Sequence, residues 1–230
     1  EAVAPSLTRL HRELLPNVRL IDEYGPTETT VFSTAHEVRA HHDDSVPIGR
    51  PIHRTRCYVV DDRGELALRG AIGELWIGGD GVTAGYLRRD DATRERFVEL
   101  RGERVYRTGD RVRWSSTGEL AFHGRADQQV QVRGHRVELD EIVSVLESKQ
   151  GVERAVVVAR ERGGITVLDG YLVGRAIDPN ALRAALEAEL PTVMIPSTLT
   201  VVASLPRAVS GKIDTAHLPP PTPPAPSPRA

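Results

Sequence analysis

Four short stretches, in order along the chain, carry residue types that can handle a nucleotide: Tyr24-Gly25-Pro26-Thr27-Glu28, Tyr106-Arg107-Thr108-Gly109-Asp110, Gly124-Arg125-Ala126-Asp127 and Ser210-Gly211-Lys212. A tyrosine at a strand end offers a flat face on which any purine can stack. Gly25-Pro26 fixes the turn that presents it, Thr27 adds a hydroxyl, and Glu28 could hold Mg²⁺, an ion that combines few carboxylates with phosphate oxygens. The two oxygens of Asp110 match the two hydroxyl donors of a ribose diol. The Lys212 ammonium, a point charge, can bridge a carboxylate and an α-phosphate as attack begins. Arg125 and Asp127 suit a turn between two domains. Each stretch also has an ordinary reading: a surface turn with a packed tyrosine, a strand-end Asp turn, an exposed ion pair of little worth, a solvated lysine in a glycine loop. Singly the ordinary readings hold their own; four such stretches in this order and spacing outweigh them.

These residues need elements to aim them. Residues 4–10 read as a helix with Ser6 as its N-cap, and residues 17–22 as a short strand running into the Gly25-Pro26 turn. From Val31 to about Phe122 strands and turns dominate. Tyr58-Val59-Val60 ends in a hairpin signal at Asp61-Asp62-Arg63-Gly64, and Glu74-Leu75-Trp76-Ile77 alternates up to Gly78-Gly79. Residues 105–114 form a strand region broken at Thr108-Gly109, and one short helix covers 91–97. After Asp127 the period changes. Leu139, Ile142, Val145 and Leu146 share a helical face; residues 155–159 form a buried strand, with 165–173 as its antiparallel neighbour across Gly163-Gly164. Asp178-Pro179 opens a helix striped by Leu182, Leu186 and Leu190, and residues 199–203 form a third strand. The chain thus reads as α+β, a β-rich part followed by a small sheet-and-helix domain, with a polyproline-like tail over 219–230.

Composition narrows the function classes. The 230 residues hold Lys+Arg 30 against Asp+Glu 32, a formal charge of −2 without long single-sign runs. That argues against a nucleic-acid or membrane-surface role. Cys57 is the only cysteine, so no internal disulfide can form. No stretch is long and apolar enough to span a bilayer and no signal-peptide pattern is present, which makes the cytoplasm the expected location. His41-His42 beside Asp43-Asp44 lacks metal-ligand spacing.

The stretch from Glu23 to Thr30, together with the Asp110, Arg125–Asp127 and Lys212 stretches, resembles the motifs of amino-acid adenylation domains of nonribosomal peptide synthetases. These belong to the adenylate-forming superfamily that includes acyl-CoA synthetases and luciferases. The resemblance implies the β-rich C-terminal part of the large adenylation subdomain over residues 1–126, a small α+β lid subdomain over 127–218 with its hinge at Asp127, and a Pro-rich linker or tail over 219–230. It implies ATP and Mg²⁺, an amino or aryl acid, and a carrier-protein domain whose phosphopantetheine thiol takes the acyl group. By residue, it implies Asp22, Tyr24, Thr27, Asp110 and Arg125 on the nucleotide, Glu28 on Mg²⁺, Lys212 in catalysis, and Glu23, Val31 and Phe32 along the acid pocket. Gln131, Arg133 and Gly134 would lie in a loop facing the carrier after rotation. The chain has Asp22 where the family usually has Asn, Gln131 where Lys is frequent, and Ser210 and Thr215 where Asn and Arg are common. The family's triphosphate loop would precede Glu1, in an N-terminal half absent from this sequence, so the chain is expected to be inactive alone. A second reading is a non-catalytic lid or docking module that binds a carrier protein or an MbtH-like partner; a third is part of an acyl-CoA ligase.

Overall fold

The computed structural model describes residue 3 and residues 5–38, 46–127, 129–207 and 213–222. Two compact units divide after Asp127. The first opens with helix α1 (Pro5–Leu14). Strands β1 (Ile21–Tyr24), β2 (Thr34–Glu37) and β3 (Arg50–Pro51) then form an antiparallel sheet in that order. A second antiparallel sheet follows, built from β4 (Thr55–Val60), β5 (Gly73–Gly79), β6 (Phe97–Leu100), β7 (Glu103–Trp114) and β8 (Leu120–Arg125). Its order is β4-β5-β7-β6, with β8 also paired to β7. The one helix between these strands is α2 (Asp90–Arg96), with acids in its first turn and arginines in its last, as the helix dipole favours. Alternation along β4, β5 and β7 turns Val59, Leu75, Ile77 and Val112 into a core with Ile48 and Leu120, and Tyr24 packs against it.

The second unit begins with a hairpin of β9 (Gln129–Val132) and β10 (His135–Glu138), then α3 (Leu139–Glu147). Long strands β11 (Val152–Arg162) and β12 (Ile165–Gly174) pair antiparallel across Gly163 and Gly164. Both glycines have positive φ, 59° and 77°, as a tight two-residue hairpin requires. Helix α4 (Pro179–Glu189) starts where the Asp178 carboxylate accepts the Asn180 N–H at 2.9 Å. Strand β13 (Thr198–Val201) then joins β12 in parallel. One face of this sheet, through Leu168 and Leu172, shares a core with Ile142 and Leu146 of α3 and Leu182 and Leu186 of α4. The other face carries Val156 and Tyr171, covered by Leu218. Buried Asp169 on that face accepts from Thr198 Oγ1 at 2.7 Å and Arg162 Nη2 at 2.6 Å, tying all three strands in register.

Several expected boundaries move. Ser6 lies inside the first turn of α1, which starts at Pro5. The strand expected over 17–22 starts only at Ile21, because Val18 N–H turns back to Leu15 O and pairing begins opposite Glu37. Strand β7 is continuous through Thr108-Gly109; its pairing with β5 shifts register between Arg107 and Arg111, around Gly109, and its pairing with β8 between Asp110 and Val112, as at β-bulges. The segment over 129–138, within the stretch expected as a carrier-facing loop, is a hairpin whose turn residues Arg133 and Gly134 have φ of 51° and 81°.

The stretch expected to open a free tail is tied to the sheet. Pro219 O accepts the Tyr171 hydroxyl at 2.9 Å, and Thr222 N–H donates to Thr200 Oγ1 at 2.8 Å. Leu218, at 8% exposure, anchors this strap. Leu218→Ala should therefore cost about 2–3 kcal/mol, the low end for a buried leucine. Denaturant unfolding should show a lower midpoint and amide exchange at Thr222 should accelerate; an unchanged midpoint with Thr222 still protected would refute the anchoring.

Candidate functional site

Tyr24 closes β1. The chain then folds back so tightly that Ser33 N–H reaches Tyr24 O at 2.8 Å, and a Cβ on Gly25 would lie 2.4 Å from Phe32 Cα. From this anchored position the Tyr24 hydroxyl donates to Asp110 Oδ2. Arg125 Nη1 donates to Asp110 Oδ1 at 2.6 Å. Burial, then the adjacent Asp110 charge, push the Tyr24 phenol well above its ordinary pKa, so it stays a neutral donor. Asp110 is only 6% exposed. A carboxylate oxygen has two lone pairs, so a carboxylate whose direction is fixed in this way is a group of the type that accepts a diol.

The same guanidinium serves the end of the unit. Arg125 Nε and Nη2 grip Asp127 at 2.6 and 2.8 Å, and Nη2 also reaches Thr108 O at 3.0 Å. Gly109 makes this possible. Its φ is +76°, and a Cβ there would stand 2.6 Å from Asp127 Oδ2 and 2.8 Å from Arg125 Nη2. Glu74 secures the bulge from the neighbouring strand, accepting Gly109 N–H at 3.2 Å and Arg107 Nη2 at 3.0 Å.

The other expected nucleotide residues flank this cluster. Asp22 sits two residues before Tyr24 on the same face of β1 and opposite His36 of β2. Burial raises the Asp22 carboxyl pKa, and His36 partly offsets the rise. The His36 ring is itself held by Glu119, Nδ1 to Oε1 at 2.9 Å. Thr27 is exposed at the start of a 3₁₀ turn. Glu28 accepts the Tyr86 hydroxyl at 2.6 Å, and its backbone O accepts Thr83 N–H at 2.9 Å, so the turn is docked on the 79–86 segment. Glu28 is a single, oriented carboxylate, and among the described residues no group of three or more His, Cys, Asp or Glu gathers into a metal site. That donor set fits a Mg²⁺ whose remaining ligands are phosphate oxygens and water.

The three expected pocket residues are spread out. Glu23 is exposed on the opposite face of β1 from Tyr24, and Phe32 is half-buried. Val31 is 75% exposed. Thr30 and Val31 hold φ of 62° and 73°, an unusual conformation for two β-branched residues in succession; Thr30 Oγ1 braces it against Gly81 O at 2.7 Å. Gln131, Arg133 and Gly134 are exposed on the hairpin of the second unit. Lys212 lies outside the described residues; Arg207 and Ile213 form an isolated bridge, and Asp214 N–H donates to Pro206 O at 2.8 Å. Sequence reading missed Glu74, Tyr86, Arg96, His36 and Glu119. Each meets its partner across dozens of residues, and no local spacing signals such a contact.

The Gly109 geometry yields a direct test. Gly109→Ala must strain a positive-φ residue and displace Arg125 or Asp127, at a cost of about 1–3 kcal/mol. Denaturant unfolding of the variant should show that loss; a change under a few tenths would mean the bulge relaxes freely.

Comparison with known proteins agrees with this arrangement. Residues 1–87 match the family model described as AMP-binding enzyme. Surfactin synthase subunit 3 of Bacillus subtilis (strain 168) is 42% identical over 227 residues, 96% of this chain. Tyrocidine synthase 3 of Brevibacillus parabrevis is 40% identical, also over 96% of this chain. The chain spans only 18% of the first and 4% of the second. Among solved structures, holo-PA1221, a synthetase protein containing adenylation and carrier (PCP) domains bound to a vinylsulfonamide inhibitor, is 33% identical with a TM-score of 0.82, over 94% of this chain and 38% of its own. The Vibrio cholerae adenylation domain AlmE, in complex with glycyl-adenosine-5'-phosphate, is 27% identical with a TM-score of 0.81, over 93% and 42%. With the Tyr24–Asp110–Arg125–Asp127 cluster, these likenesses make the chain similar, over nearly its whole length, to adenylation domains of nonribosomal peptide synthetases, and residues 1–87 match the AMP-binding enzyme family.

Proposed function

We propose that this chain supplies the nucleotide-gripping strands and the mobile lid of an enzyme that activates an amino or aryl acid with ATP and loads it onto a carrier protein. The observation that carries this reading is the buried Asp110 carboxylate, aimed by the Tyr24 hydroxyl on one side and Arg125 on the other. In the first step a carboxylate oxygen of the acid attacks the α-phosphorus of ATP, and pyrophosphate leaves. In the second the carrier's phosphopantetheine thiol attacks the acyl carbon, its proton goes to solvent, and AMP leaves. Asp110 accepts the ribose hydroxyls, Tyr24 offers its ring to adenine, and Asp22 accepts from the exocyclic amine. Glu28 would hold Mg²⁺, whose charge offsets that of the phosphates. Lys212 offsets the charge between the acid and the α-phosphate, and Asp127 is the hinge about which the second unit turns between steps. Glu23, Val31 and Phe32 border the acid, and Gln131, Arg133 and Gly134 face the carrier. The similarity to a protein containing adenylation and carrier domains supports the second step. Adding an MbtH-like protein during purification tests whether that partner is needed.

In the full protein, Asp110→Asn keeps the side-chain size but loses charge and one acceptor. A charge-assisted hydrogen bond is worth about 1.5–3 kcal/mol, so the KM for ATP should rise about 10- to 150-fold while that for the acid changes little. An unchanged KM for ATP would remove Asp110 from the ribose.

Lys212 and Asp127 should fail differently. Lys212→Ala should slow adenylation by about 10²–10³-fold, the usual scale for a preorganised charge, and leave thiol transfer from preformed adenylate nearly unchanged. Asp127→Pro fixes φ and deletes an N–H, so it should spare adenylation and slow transfer. Single-turnover kinetics of each step would separate the two; equal losses in both steps for both variants would favour the docking-module reading.

A further inference from the structure

Helix α2 ends on Arg96, and the next residue, Phe97, is packed between Tyr86 and Tyr106 with ring centroids at 5.5 and 5.1 Å. That packing fixes the helix end against β7. From there Arg96 Nη2 lies 3.4 Å from Asp127 Oδ2, the oxygen that also accepts Arg125 Nη2 at 2.8 Å. The Asp127 carboxylate therefore sits between two guanidiniums, one on α2 and one on β8. The neighbouring arginine, Arg94, pairs in solvent with Asp91 of its own helix, whereas Arg96, with its side chain 27% exposed, turns inward.

The two arginines have different obligations. Arg125 divides its donors among Asp110, Thr108 O and Asp127. Arg96 reaches Asp127 from α2. We propose that Arg96 is a positioning residue for Asp127, a latch that holds the hinge carboxylate on the first unit until the lid turns; this rests on the reading of Asp127 as the hinge. A part-buried ion pair at this distance is weak enough to break at each turnover and strong enough to bias a two-state equilibrium.

The experiment uses the full protein that contains this chain. Adenylation and thiol transfer are measured separately, under single turnover, for Arg96→Ala and Arg96→Lys, with Asp127→Pro as the hinge control. Arg96→Ala should shift the ratio of the adenylation rate to the rate of transfer from preformed adenylate about three- to ten-fold, and Arg96→Lys should recover most of the difference. If the alanine variant does not fold, Arg96→Gln gives the same comparison. Equal slowing of both steps, or no recovery with lysine, would reduce Arg96 to a structural prop. A split for Asp127→Pro without one for Arg96→Ala overturns the latch alone; no split for Asp127→Pro overturns the hinge reading and the latch with it.

Discussion

Arg125 shares one guanidinium between Asp110 and Asp127, and the geometry of the first unit is arranged around that division. A planar fork with five N–H donors can serve two carboxylates and a carbonyl only if all three converge on its plane. Asp110 reaches it from β7, Asp127 from just beyond β8, and Thr108 O from the bulge between. Asp110 is nearly buried, so leaving its charge without such partners would be costly. The three acceptors therefore share one donor group.

The backbone accommodates this convergence by departing from regular pairing where the site lies. The bulge at Gly109 shifts the register of β7 against β5, where Glu74 braces it, and a second shift follows against β8 between Asp110 and Val112. A similar compromise recurs after Tyr24, where Thr30 and Val31 adopt left-handed φ values. Thr30 is held by Gly81 O, and Glu28 by Tyr86 and Thr83. Unfavourable backbone persists when its surroundings over-determine it, and here the 79–86 segment supplies that constraint.

The second unit follows a different logic. Its sheet is covered on one face by α3 and α4 and on the other by the chain's own later residues, with Leu218 as the anchor. The strap follows shortly after the Arg207–Ile213 bridge. A proline-rich run suits that place, because proline loses little conformational freedom on docking and an extended strap needs few internal hydrogen bonds.

Where a signal is local, the sequence alone determined it. The Asp178-Pro179 start of α4, the Gly163-Gly164 turn, the apolar stripe of α3 and the family resemblance of the motif residues were all legible, because each depends on residues a few positions apart. The beginning of β1 was not, because a strand forms only where a partner lies alongside, and β2 starts ten residues after β1 ends. Nor was the continuity of β7, since Gly109 reads as a break until the flanking strands show it to be a bulge. Tertiary structure alone decided that Tyr24 meets Asp110 across 86 residues, that Glu74 braces Gly109 across 35, and that Arg96 reaches Asp127 across 31. Residue types announce what a side chain can donate or accept; the folded sheets decide which partner it meets, because contacts this distant in sequence are fixed by strand order and register rather than by spacing along the chain.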